Sequence, residues 1–151
     1  MLFVIDLEEN KITGEIPRCI DNLEYLQAFI ITGNQILGVI PDGIGKLQQL
    51  EQLYLGHNHL LGYIPSSIGN LTKLSELFLS NNSLAGHIPS SIENYSNLLI
   101  MHLYENHLNV TIPSEIFIPS AIFVLALSNK RVTGPLIEGV VQLSNTVTLD
   151  L

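Results

Sequence analysis

Apolar residues recur along this chain in one phrase of 24 residues. It is clearest at 50–71, where Leu50, Leu53, Leu55, Leu60, Ile64, Ile68 and Leu71 are separated by mostly polar positions. Leu53 and Leu55 flank Tyr54 in the alternation that marks a strand with one buried face. Stepping by 24 residues from Asn58 lands on Asn10, Asn34, Asn82, Asn106 and Lys130 with no insertion between them. A unit this short cannot bury its own apolar face. A register held over so many steps therefore predicts a solenoid, in which each unit stacks on copies of itself.

The copies are not equally good. The first turn carries Ile5, Leu7, Asn10, Ile12, Gly14, Ile16, Pro17, Ile20 and Leu23; the second and third match it closely, and the fourth continues the pattern from Leu74 to Ile92. Val110 replaces the glycine in the fifth, and in the sixth Lys130 and Ile137 replace the Asn and the Pro. Val147, Leu149 and Leu151 begin a seventh. The pattern gives one array over 1–151: six repeats and the start of another.

Each recurrent residue has a physical task. The Leu-x-Leu pairs of successive turns are expected to form a parallel sheet, with the x positions facing solvent. Asn58 follows where the chain turns away from its strand and buries backbone groups. A side-chain amide both donates and accepts, so the column Asn10, Asn34, Asn58, Asn82, Asn106 should tie neighbouring turns together. Gly62 admits a backbone conformation or a close approach closed to other residues, and Pro65 fixes its own φ. Ser66-Ser67-Ile68-Gly69 reads as a short 3₁₀ or single α turn closed by its glycine.

Composition narrows the function. The chain is 46% apolar and 13% charged, a globular balance. Its net charge is −8 with six Lys and Arg, which speaks against nucleic acid as a partner. No apolar run is long enough to span a bilayer, and Met1–Ile5 is interrupted too soon by Asp6 to act as a signal peptide. The single Cys19 allows no internal disulfide.

The phrase Leu-x-x-Leu-x-Leu-x-x-Asn-x-Leu-x-Gly-x-Ile-Pro-x-x-Ile-Gly-x-Leu, at 50–71, resembles the plant-type leucine-rich repeat. That repeat is found in the ectodomains of plant receptor-like kinases and receptor-like proteins, and in polygalacturonase-inhibiting proteins. The resemblance implies an α/β, right-handed, curved solenoid, with a parallel sheet on its concave face and short 3₁₀ or loop segments on its convex face. It implies binding of a peptide or protein ligand by the concave sheet, a leucine-rich-repeat co-receptor as a further partner, and Cys-containing caps, which this sequence lacks. The chain accordingly reads as an uncapped fragment of a longer extracellular or plasma-membrane protein. A secreted inhibitor of a pathogen hydrolase is the alternative. No Gly-rich loop, His-Arg-Asp or Asp-Phe-Gly occurs, so any kinase activity would lie downstream.

The outward strand positions form candidate binding columns. One reads Asp6, Ile30, Tyr54, Phe78, His102, Ala126; the next reads Glu8, Thr32, Gly56, Ser80, Tyr104, Ser128; His57, His59, Asn81, Glu105 and His107 lie beside the Asn column. We take Ile30, Tyr54, Phe78, His102, Tyr104, His57 and His59 as the binding residues, because adjacent exposed aromatics are common anchors of a binding patch. Four of the five histidines fall on or beside this face. The pairs His57/His59 and His102/His107 are about 10 Å of sheet apart, too far for one zinc ion, so no metal or cofactor is expected. Their expected role is to make binding sensitive to mildly acidic pH. Ser80 and Ser128 have no base and carboxylate at a triad spacing, and Glu8 and Glu9 read as a solvated edge, so no catalytic residue is assigned. Asn-x-Ser/Thr sequons at Asn70, Asn81, Asn94 and Asn109 mark candidate glycosylation sites. Asn70 and Asn94 are placed on the outer side and Asn81 on the concave side.

Overall fold

A computed structural model of the chain describes residues 1–109, 124–128 and 148–150. Every turn that is described opens with a three-residue strand: β1 (Val4–Asp6), β3 (Ala28–Ile30), β5 (Gln52–Tyr54), β7 (Glu76–Phe78), β9 (Ile100–His102), β11 (Val124–Ala126) and β12 (Thr148–Asp150). They pair in parallel in chain order, as the continuous sheet of a solenoid. The register repeats the sequence period: Ile5 lies opposite Phe29, Phe29 opposite Leu53, Leu53 opposite Leu77, and Leu77 opposite Met101. These central residues point inward, and Leu53, Leu77 and Met101 are buried together with Leu55, Leu79 and Leu103 of the next inward position.

A second parallel sheet, which the sequence reading did not expect, runs beside the first. Its strands are β2 (Thr13–Glu15), β4 (Gln35–Gly38), β6 (His59–Tyr63), β8 (Ser83–Gly86) and β10 (His107–Leu108). They follow the Asn column, and alternation again gives the reason: Ile36, Leu60 and Leu84 are buried while Gln35, Leu37, His59 and Leu61 face out. Gly38, Gly62 and Gly86 lie at or next to the ends of their strands with φ of 81°, 80° and 78°, a conformation that a side chain disfavours.

The return path is a series of 3₁₀ turns at Arg18–Asn22, Asp42–Lys46, Ser66–Asn70 and Ser90–Asn94. Each is entered through a proline in extended conformation, Pro65 at φ −68° and ψ 140° for example, whose carbonyl accepts the Ile68 N–H at 3.1 Å. The expectation that Gly69 closes its turn as a C-cap is corrected. Gly69 lies inside the turn, and a Cβ there would collide with the carbonyl oxygen of Ser91 in the next turn; Gly45 stands in the same relation to Ser67. These glycines allow successive 3₁₀ turns to stack closely.

Burial grades along the array. Leu26, Leu50, Leu74 and Leu98 are fully buried, whereas Leu7 of the first turn, packed against one neighbouring turn only, is 43% exposed. In the fourth turn Tyr95 takes the place held by Leu47 and Leu71. It is buried, and its hydroxyl donates to the Ile68 carbonyl at 2.8 Å. Val110, Lys130, Ile137 and Val147, where the repeat loosens, lie outside the described residues.

Candidate ligand-binding face

The Asn column fixes how the strands sit. Asn58 Nδ2 donates to the carbonyls of Leu55 (3.2 Å) and Gly56 (3.0 Å) in its own turn and of Ile31 (2.9 Å) in the turn before, while its Oδ1 accepts the Ile36 N–H at 3.0 Å. Asn34, Asn82 and Asn106 repeat this set, joining each turn to its predecessor. Asn10 does not. It is exposed and donates only to the Leu7 and Glu8 carbonyls of its own turn, so it closes a loop without tying two turns together. The residue before each Asn turns left-handed: Glu9, Gly33, His57, Asn81 and Glu105 have φ between 51° and 70°. Of these, Gly33 and Asn81 are residue types that enter this conformation most readily.

On the strands so held, Ile30, Tyr54, Phe78 and His102 occupy one register position, each half-buried. Parallel strands lie about 4.8 Å apart, close to the separation at which tilted rings make contact. The rings meet accordingly, with centroids 4.4 Å apart for Tyr54 and Phe78, 4.5 Å for Phe78 and His102, and 5.7 Å for His102 and Tyr104. The result is one continuous aromatic strip across three strands. Ala126, the next residue in the column, is buried.

Of the two expected histidines beside the Asn column, one stays at the strip and one does not. His57 is exposed on the rim, its Nε2 3.4 Å from Asn81 Nδ2. His59 belongs to β6 and thus to the second sheet, as His107 belongs to β10. The reading that put four histidines on or beside one face is corrected for His59 and His107; His102 stands in the strip and His57 beside it. The second run of alternation after each Asn carries the other two around the turn.

A residue passed over in the sequence joins the site. Glu76 lies two residues before Phe78 on the same face of β7, and its carboxylate accepts the Tyr54 hydroxyl proton and, at 3.3 Å, the side-chain amide of Gln52. The alternation that selected Phe78 selects Glu76 equally; only the search for aromatics left it out. Burial, reinforced by Glu76, raises the Tyr54 pKa above the ordinary phenol value. Burial also lowers the His102 pKa below its ordinary value, so the ring is neutral at neutral pH. The lysines and arginine described, Lys11, Arg18, Lys46 and Lys73, all lie off the strands of this sheet.

The sequon asparagines lie at different places on the turns. Asn70 and Asn94 end equivalent 3₁₀ turns and are exposed, Asn109 is exposed after β10, and Asn81 is half-buried on the rim of the strip.

Two family models, both described as leucine-rich repeat, match residues 1–23 and 24–84, together more than half of the chain. The chain is a leucine-rich-repeat protein. Among solved leucine-rich-repeat structures it is similar to a TDR receptor, with 30% identity and a TM-score of 0.95 over 99% of this chain and 26% of that one. It is also similar to the Arabidopsis receptor kinase HAESA, solved in complex with the peptide hormone IDA and the co-receptor SERK1, with 30% identity and a TM-score of 0.92 over 97% of this chain and 24% of that one. A leucine-rich-repeat protein of Leptospira interrogans matches at 33% identity and a TM-score of 0.84, over 99% of this chain and 36% of that one. The chain spans 20–28% of the length of the receptors at the head of the comparison. No curated protein matches its sequence. Among the described residues no helix is long and apolar enough to cross a membrane.

Proposed function

We propose that the chain is a recognition module of a plant receptor-like kinase or receptor-like protein, and that its concave strip binds a peptide or protein ligand outside the cell. The observation that carries this is the run of contacting, half-exposed rings Tyr54, Phe78, His102 and Tyr104 on an uncovered sheet. Such rings supply a large contact area at a low entropic cost. The peptide complex of HAESA, with its co-receptor, supports the same use of this fold and a co-receptor as a further partner. The role proposed for the chain is binding, and no signalling chemistry is assigned to its residues.

The test is selection of a displayed random dodecapeptide library on the immobilised 151-residue chain. Selected peptides should lose about tenfold or more in affinity for the double variant Tyr54→Ser/Phe78→Ser, the loss of a hot-spot pair, with an unchanged circular dichroism spectrum. Peptides that bind both proteins equally would move the site off the strip.

A further inference from the structure

The strip is not uniformly apolar. Glu76 places one carboxylate at its centre, one strand from Tyr54 and two residues from Phe78. Its two bonds are to neutral donors, the Tyr54 hydroxyl and the Gln52 amide, so its charge is oriented but not compensated. The one ion pair among the described residues, Lys46 with Asp21, lies on the convex 3₁₀ turns. A carboxylate offers about four acceptor positions, and two donors leave the rest free.

We propose that Glu76, with the faces of Tyr54 and Phe78 beside it, forms a subsite for a basic side chain, Arg or Lys, of the bound peptide. This rests on the concave strip being the ligand site. The guanidinium or ammonium donates to the free Glu76 lone pairs and lies against the aromatic faces, which attract cations. Half-burial weakens screening by salt and water, which makes the pairing stronger than a fully exposed one. The Tyr54 and Gln52 bonds hold the carboxylate in place before binding, so little order is lost when the ligand arrives. The surroundings favour the same sign of ligand: Asp6 stands in the strip's own column and Glu8 and Glu105 lie beside it, while no described Lys or Arg lies on these strands. An acidic side chain in this position would meet only repulsion. Arg suits the site better than Lys, because its planar fork can engage the carboxylate and stack on a ring together.

The library selection, repeated on Glu76→Gln and read by sequencing, tests this. Peptides selected on the unchanged chain should be enriched in Arg and Lys. Citrulline in place of the Arg, a neutral isostere, should weaken binding about tenfold or more on the unchanged chain, and by no more than about twofold on Glu76→Gln. Two outcomes refute the subsite but leave the strip standing. In one, peptides depend on Tyr54 and Phe78 yet carry no basic residue; in the other, the citrulline effect is the same on both proteins. Peptides indifferent to Tyr54 and Phe78, or no enrichment at all, overturn both readings. Thermal melting of Glu76→Gln within about 2 °C of the unchanged chain separates a lost subsite from a lost fold.

Discussion

Replacing Asn58 with Ala removes a side chain that is 6% exposed and makes four hydrogen bonds. The four losses are not equal. The Ile31 carbonyl keeps Asn34 Nδ2 at 3.0 Å, the Leu55 carbonyl keeps Asn82 Nδ2 at 3.0 Å, and the Gly56 carbonyl keeps the Gly33 N–H at 3.1 Å. Only the buried Ile36 N–H loses its acceptor outright. One orphaned buried donor costs about 1–3 kcal/mol, and carbonyls left with one partner add little, so the expected loss is about 2–3 kcal/mol. Asn10→Ala is the internal control, since that side chain is exposed, bonds only within its own turn and accepts no N–H from another. It should cost less than about 1 kcal/mol. Urea unfolding followed by circular dichroism gives both numbers, provided the slope is unchanged. Equal losses for Asn58→Ala and Asn10→Ala would refute the argument that the column stabilises by joining turns.

Gly69→Ala puts a Cβ against the Ser91 carbonyl, a backbone atom that cannot yield as a flexible side chain would, and should destabilise by about 1–3 kcal/mol in the same assay; a neutral result would show that the 3₁₀ turns stack loosely. His102 should titrate below the ordinary imidazole pKa of 6.5. Because the unfolded chain takes up that proton first as pH falls, stability should be at its plateau above pH 6.5, decline through the interval between the two pKa values, and level off below the folded one. An NMR titration of the ring with a midpoint at or above 6.5 would sink the claim that burial controls it.

Much of the fold and part of the candidate site were legible in advance. The sheet register follows the period, because a one-residue slip between turns would expose Leu53 or Leu77 while the 24-residue repeat sets equivalent residues opposite each other. The Asn column was legible for the same reason, its amide being suited to donate and accept together. The strip of Tyr54, Phe78 and His102 was found because outward positions alternate with inward ones. Three things were not legible. His59 and Leu61 alternate like strand residues, but no local signal says that this strand joins a different sheet from Tyr54. Gly69 looked like a C-cap because its steric reason, Ser91, lies in the next turn. Glu76 was passed over: its outward position could be read, but not that Tyr54 and Gln52, on the neighbouring strand, hold its carboxylate.

The sequence by itself determined the repeat, the face each apolar side chain turns inward, and the family, since all three depend on spacing along one turn. Only the tertiary structure decided which residues of different turns meet: the ring contacts, the carriage of His59 and His107 to a second sheet, and the Glu76 cluster. The physical reason is that a solenoid is built from contacts a whole repeat apart, as in the 24-residue separation of Gln52 and Glu76. Local propensity fixes each turn, but the chemistry of the face arises between turns.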